Sequence, residues 1–293
     1  MLNKLFESVT SRLEQASVLD APADKLAEIV TPVFSPPIVR HVASGTPIGH
    51  PLHPLLVALP IGAWTSALLF DALGDEDAAS TMVALGIVTA VPTAFTGLND
   101  WSWTNGAERR VGLLHATANT IALSAYAASW VARKSGRRGL GVALSMLGMS
   151  AVSGGGWLGG HLAYAMGVGV DTTAFQHSAE EWTDLGEPAQ VVAGALTAAD
   201  LDGVPVVLTR LADRVVAYAD RCTHRGAPLH EGRIVDNCIV CPWHESAFDL
   251  EDGTVRQGPA SRPQASFEVR VVDGRLQGRR VDARSLRTEP VGR

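Results

Sequence analysis

The chain has 293 residues, a formal net charge of −6 and 46% hydrophobic residues. That length allows two domains, and an acidic balance lacks the basic footprint that nucleic-acid binding needs. Three cysteines are too few for a disulfide framework, so cysteine usage does not fix the redox compartment.

Residues 1–30 place Leu2, Leu5, Phe6, Val9 and Leu13 at helical spacing, which predicts an amphipathic N-terminal helix. The stretch lacks the apolar run and small-residue cleavage site of a signal peptide. A helix packed on the protein surface is preferred to one lying in a membrane interface. Residues 31–52 are rich in Pro and Gly and read as a connector.

Four spans follow, at 54–70, 79–98, 111–132 and 139–163. Apart from His115 and His161 they carry no Asp, Glu, Lys, Arg or His, and runs of this length read as membrane helices. Their many Gly, Ala, Ser and Thr residues allow close helix approach. The prediction is an all-α transmembrane four-helix bundle. The motifs His50-Pro51-Leu52-His53-Pro54, Leu59-Pro60-Ile61-Gly62, Gly97-Leu98-Asn99-Asp100-Trp101, His115 and Gly159-Gly160-His161-Leu162-Ala163-Tyr164 occur in this order. In kind and order they resemble a bacterial four-helix membrane family that has no assigned activity. The resemblance covers roughly 30–172 and implies the fold only.

Chain parity places the polar outliers. If the N-terminal side is A, spans one and three leave A while spans two and four return to it. His50, His53, Asn99, Asp100, His115 and His161 then all lie at A, as does whatever follows span four. Ionisable groups near a bilayer are functional by default. Three readings compete for His53, His115 and His161. Two of them could be axial ligands of a b-type haem. They could serve a non-haem metal or a quinone pocket. They could instead cap helix ends. His50 is given an interfacial role; His41, His177 and His230 read as surface or loop residues. Lys and Arg mark cytoplasmic loops, but Arg109 and Arg110 on side A, with Arg40 and three more toward the N-terminus, nearly balance Arg133, Lys134, Arg137 and Arg138 on side B. Arg137-Arg138 could also act as an internal twin-arginine signal. Side A is favoured as cytoplasmic.

Residues 173–181 read as a linker, 182–281 as a β domain and 282–293 as a polar tail. Short β runs at 189–193, 204–211, 214–219, 234–240 and 267–272 alternate with Gly and Asp turns and predict a small antiparallel barrel. Within it lies Cys222-Thr223-His224, then sixteen residues, then Cys241-Pro242-Trp243-His244. A zinc knuckle could use two Cys and two His, with Cys238-x-x-Cys241 as a further pair. Zinc sites, however, usually pair C-x-x-C with C-x-x-C or with a His pair, not two mixed pairs. The spacing resembles that of the Rieske [2Fe-2S] family, to which the membrane family above is often joined in this order. The resemblance implies an all-β Rieske domain with a cluster-binding subdomain. It implies that Cys222 and Cys241 hold one iron and His224 and His244 the iron that gains and loses the electron. Cys238 reads as a small buried strand residue.

The flanks refine that expectation. Gly226, Pro228 and Pro242 suit tight loops, and Gly258-Pro259-Ala260 matches a third loop of the family. High-potential members join the two cluster loops by a disulfide, where this chain has Ala227 and Trp243. Ser246 matches their Ser donor, but Phe248 stands at their Tyr. Glu245 occupies a position that is usually Gly. Losing a donor to the cluster lowers the potential, so the lower half of the roughly −150 to +300 mV Rieske range is expected. Only forty-nine residues follow His244 and none is His, which excludes the mononuclear iron domain of a Rieske oxygenase. No G-x-G-x-x-G follows a strand, so no flavin or nicotinamide domain is expected. The expected protein is a membrane-anchored Rieske electron carrier that exchanges electrons with a redox site, haem b, at the His-rich face. The alternatives are a ferredoxin-like module merely anchored beside a partner enzyme, or a quinone oxidoreductase.

Overall fold

A computed structural model describes residues 2–176 and 180–280. The chain divides into two compact units, Met1–Ser44 with Pro51–Gly169, and Gly45–His50 with Val170–Arg293. His177 and the tail 282–293 lie outside the described residues.

The first unit is helical. The expected N-terminal helix is two helices, α1 (Leu2–Gln15) and α2 (Asp20–Phe34), and the expected connector contains a third, α3 (Pro37–Ala43). Pro37 is tolerated at the first turn of α3, where its missing N–H has no intrahelical partner to lose. Next come α4 (Leu52–Leu56), α5 (Ala58–Leu73), α6 (Glu76–Ser102), α7 (Gly106–Lys134) and α8 (Arg138–Tyr164). Gly74 ends α5 at φ +83°, a conformation open to glycine, and Asp75 caps α6 by accepting from the Ala78 N–H at 3.0 Å.

Three of these helical stretches, Leu52–Leu73, α6 and α8, are long and apolar enough to cross a membrane. The expected third span is a 29-residue helix, α7, but it does not join them. Its Thr, Ser and Asn residues and His115 dilute its apolar character below that of the other three. Apolar side chains also point outward from the helices: Val88 is 67% and Met146 61% exposed.

Inside, Trp64 and Tyr126 stack at 4.1 Å with their planes 5° apart. Each ring lies on a glycine of the next helix. A Cβ at Gly86 would come within 2.1 Å of Trp64, and one at Gly148 within 2.7 Å of Tyr126. Arg133 grips Asp71 through two bonds, at 2.7 and 2.5 Å, with both side chains buried. N-terminal acids pair with the start of α7, Asp20 with Arg110 and Asp24 with Arg109.

The second unit is β-rich. One antiparallel sheet runs β1 (Thr183–Gly186), β10 (Arg275–Arg280), β9 (Ser266–Val272), β4 (Arg214–Ala219), β3 (Val204–Leu211), β2 (Thr197–Leu201). A smaller one runs β5 (Arg233–Val235), β6 (Cys238–Val240), β7 (Ala247–Asp249), β8 (Val255–Gln257). Strand β3 serves two cores because alternate residues face opposite sides. Val206 and Leu208 pack with Leu201 and Leu276, whereas Val207 packs with Tyr218, Ile239 and Phe248. Residues 234–240 do not form one strand. Asp236 and Asn237 both take positive φ, the pattern of a tight two-residue hairpin turn, and split the run into β5 and β6. Residues 189–193 form no strand either; a 3-10 turn over Pro188–Gln190 takes their place.

Asp71→Ala leaves the Arg133 guanidinium, 5% exposed, without its carboxylate. The unfolding midpoint of the full protein in detergent should drop by the equivalent of about 3–5 kcal/mol. The double replacement Asp71→Leu with Arg133→Met should lose far less.

Candidate metal centre

Two loops of the second unit are built alike. In the first, between β4 and β5, the Cys222 N–H donates to Ala227 O at 2.9 Å and the Gly226 N–H donates to Cys222 O at 2.8 Å. In the second, between β6 and β7, the Cys241 N–H donates to Ser246 O at 2.9 Å and the Glu245 N–H to Cys241 O at 3.2 Å. Each loop closes on a residue in the left-handed region, Gly226 at φ +76° and Glu245 at φ +59°. The geometry suits glycine, so Glu245 carries backbone strain that Gly226 does not.

The loops bring the two cysteines together, both almost fully buried. Their thiols share a hydrogen bond. That bond pushes Cys222 well above the ordinary thiol range, with burial adding to it. Cys241 is lowered to about 7 because Cys222 donates to it, helped by the backbone N–H groups of His244 and Trp243. The N–H groups of His224 and Arg225 point at Cys222 in the same way. Both sulfurs thus sit in nests of backbone donors, which favour thiolate.

His224 and His244 stand edge to face with ring centres 5.0 Å apart. Among the described residues no group of three or more His, Cys, Asp or Glu converges on one metal-ion position. The donors stand as two pairs, sulfur with sulfur and nitrogen with nitrogen. A mononuclear tetrahedral zinc site needs all four at one point, whereas a binuclear cluster with a different ligand pair on each metal does not.

The support around the loops is polar and buried. Gln264 Nε2 donates to Ala219 O and Arg221 O, both at 2.6 Å, while its Oε1 accepts from Thr223 N at 3.3 Å. Ser246 Oγ accepts from Ala260 N at 2.9 Å, so its own hydroxyl proton remains to donate elsewhere. Two further segments tie to these loops. Thr172 Oγ1 donates to Cys222 O at 2.9 Å, and Thr46 Oγ1 donates to Ala260 O at 2.8 Å. Phe248 is buried in the core and offers no hydroxyl. Glu245 is exposed and faces Arg233 at 3.3 Å.

One histidine differs from expectation. His230 is not a plain loop residue: its Nδ1 lies 2.6 Å from Asp220 Oδ2, and its N–H donates to Asp220 Oδ1 at 2.7 Å. Asp220 is buried two residues before Cys222, so this pair braces the first loop. The pairing joins residues ten apart through a turn, which sequence periodicity does not report. Cys238 is buried in β6, where burial pushes its thiol up.

In the helical unit, His53 and His115 meet with ring centres 6.3 Å apart, nearly perpendicular. His53 Nδ1 lies 2.9 Å from Thr93 O, and His115 Nδ1 lies 2.7 Å from Gly155 O. His161 does not join them; its Nε2 is 2.7 Å from Glu14 Oε1. His50 is exposed.

Comparison with known proteins matches two family models. Residues 181–268 match the Rieske [2Fe-2S] domain, and residues 49–172 match "Predicted membrane protein (DUF2231)". The anthranilate 1,2-dioxygenase ferredoxin subunit of Burkholderia cepacia is 32% identical over 105 residues, 33% of this chain and 90% of the relative. Ferredoxin CarAc of Metapseudomonas resinovorans is 36% identical over 72 residues, 25% of this chain and 67% of the relative. Among solved structures, the ferredoxin of carbazole 1,9a-dioxygenase from Nocardioides aromaticivorans is 27% identical with a TM-score of 0.33, covering 34% of this chain and 98% of that one.

Glu245→Gly relieves the left-handed strain, worth about 1 kcal/mol. The temperature at which the full protein loses its visible cluster absorbance should rise. Gly226→Ala should lower it.

Proposed function

The chain belongs to the Rieske [2Fe-2S] ferredoxin family and carries a DUF2231 predicted-membrane-protein domain ahead of that module, and on this premise we propose a membrane-anchored one-electron carrier whose cluster is held by Cys222, Cys241, His224 and His244. The observation that carries the proposal is the split of the four donors into a sulfur pair and an imidazole pair on two matched loops. When bound, the cluster supplies one electron at a time. The chain's own residues set how readily it does so. Cys222 and Cys241 bind as thiolates in their nests of N–H groups, and His224 and His244 bind as neutral imidazoles. The neutral pair keeps the site's charge low and the potential above that of all-thiolate clusters. Ser246, oriented by the Ala260 N–H, has a hydroxyl proton to give to cluster or thiolate sulfur. Phe248 gives none. The Glu245 carboxylate is turned to Arg233 and water, so its effect on the cluster is small. The potential therefore falls in the lower half of the roughly −150 to +300 mV range.

The helical unit is the membrane anchor. Three apolar helices and a shell of outward-facing Val, Leu and Met side chains support this, with α7 as the fourth span. In that arrangement α7 turns His115 and Asn119 toward α8 and keeps its Ile121 and Val131 side outward. The Rieske module follows α8 in the chain, and we place the His53 and His115 end of the helical unit in the cytoplasm, where clusters are inserted. A redox centre held at that histidine end would be the group with which the cluster exchanges its electron. The Burkholderia cepacia relative is named as the ferredoxin subunit of a dioxygenase, and this favours a second reading, in which the bundle only anchors a ferredoxin module beside an oxygenase-type partner.

An anaerobic redox titration of the detergent-purified protein, followed by electron paramagnetic resonance, tests the carrier. A single one-electron Rieske signal in the stated range is expected. His224→Cys adds an anionic donor and should move the potential down by a few hundred millivolts, toward the roughly −400 mV of all-thiolate clusters. A signal and potential unchanged from the parent protein would remove His224 from the ligand set.

A further inference from the structure

The helical unit repeats itself at an offset of 62 residues. Adding 62 to the bounds of α6, Glu76–Ser102, gives the bounds of α8, Arg138–Tyr164, and both are 27 residues long. The same shift carries Gly74, at φ +83°, onto Gly136, at φ +72°, and each sits in the tight link between its two helices. It carries Trp64 onto Tyr126 and Gly86 onto Gly148, so each aromatic lies on the glycine of its own hairpin. It carries His53 onto His115, Thr93 onto Gly155 and Gly97 onto Gly159. Each imidazole accordingly reaches 40 residues along the chain to a backbone carbonyl, beside a glycine four residues further on.

Equivalent residues also touch each other. Trp64 stacks on Tyr126, Asp71 pairs with Arg133, Glu76 with Arg138 at 3.2 Å, and His53 meets His115. A residue in contact with its own counterpart lies on a two-fold axis, as at an isologous dimer interface. The unit is two helical hairpins packed about one pseudo-two-fold.

On that axis three of the four pairs have diverged, to Trp with Tyr, Asp with Arg and Glu with Arg. Over 52–101 and 114–163 the one ionisable residue identical in both halves is the histidine. Bonding to a carbonyl alone would not require this, since any N–H or O–H side chain of similar reach can donate. Because a carbonyl only accepts, each Nδ1 carries the hydrogen and each Nε2 holds a lone pair. Asn119 Nδ2, 3.2 Å from His115 Nε2, is a donor and suits that tautomer; it also donates to His115 O at 2.9 Å, so it keeps an acceptor when Nε2 binds a metal. Metal-binding histidines are commonly fixed by a bond from the other ring nitrogen to a backbone carbonyl. Two metal–nitrogen bonds of roughly 2.0–2.1 Å, plus about an ångström from each nitrogen to its ring centre, total about 6 Å. The ring centres are 6.3 Å apart. A bare ion would want three or four protein donors, and among the described residues no third His, Cys, Asp or Glu joins the pair. A macrocycle brings its own four.

We propose that His53 and His115 are the two axial ligands of one haem iron on the pseudo-two-fold axis, and that His161, held by Glu14, is not a ligand. The proposal deepens the reading of a redox centre at the histidine end and rests on it. The test is the full protein made in haem-replete cells and purified in detergent. Haem is measured as the pyridine haemochrome, with reduced-minus-oxidised spectra and the Rieske resonance signal read on the same sample. About one haem per chain is expected, with sharp bands of a six-coordinate iron. Haem content should fall about tenfold or more in His53→Ala and in His115→Ala, and stay unchanged in His161→Ala. His115→Met retains a ligating side chain and should keep the haem at a more positive potential, which separates lost ligation from lost folding. Protein with a Rieske signal but no haem would overturn the proposal and leave the carrier standing. So would haem that survives both alanine variants, or a bare metal ion bound by the pair. Haem without a Rieske signal would support the histidine pair and overturn the carrier instead.

Discussion

Two thiols and two imidazoles have to be presented as separate pairs, and the second unit is arranged around that requirement. Each loop gives one sulfur and one nitrogen, so the pairing can form only if the loops face each other in register. Their shared construction achieves this. A cysteine N–H bonded five residues ahead, a cysteine carbonyl bonded four residues ahead and a left-handed closing residue give both loops the same curvature. Gln264 then fixes the base of one loop, and the bond from Ala260 N to Ser246 Oγ fixes the other to the third loop. The backbone donors around each sulfur are a by-product of the same curvature, since a chain bent this tightly turns successive N–H groups inward.

The helical unit uses a different economy of interactions. Its helices expose apolar side chains outward, so packing between them depends on close approach and on a few buried polar contacts. Glycines at 86 and 148 let two rings enter and stack, and the Asp71–Arg133 pair neutralises two charges where water is scarce. Such a pair contributes little net stability but is costly to break. Glu14 with His161, and Asp20 and Asp24 with the arginines that begin α7, attach the N-terminal helices to the same end of the unit as His53 and His115.

Much of this was legible in the sequence, for physical reasons. A ligand motif with fixed short spacings survives in one dimension because its geometry is local, and so does the apolar run of a spanning helix. What was lost depends on contacts between distant residues or on turn chemistry. Residues 234–240 look like one strand until Asp236 and Asn237 are seen at positive φ. Residues 189–193 have the composition of a strand but follow Pro188, which opens a 3-10 turn. The third span lacks charged residues, but its hydroxyls and amides make it less apolar than its neighbours. His230 and Asp220, and the choice of His53 with His115 over His161, required three dimensions. The 62-residue repeat is present in the sequence as sparse identities among small residues. It becomes evident only when equivalent side chains are found touching.

The central claim is that the reducible iron carries two histidine nitrogens from His224 and His244. Electron–nuclear double resonance on the reduced full protein, labelled with nitrogen-15 in histidine, tests it most directly. Two strongly coupled labelled nitrogens are predicted, falling to one in His244→Cys. No strongly coupled nitrogen, in a protein that still holds two irons per cluster, would contradict the account.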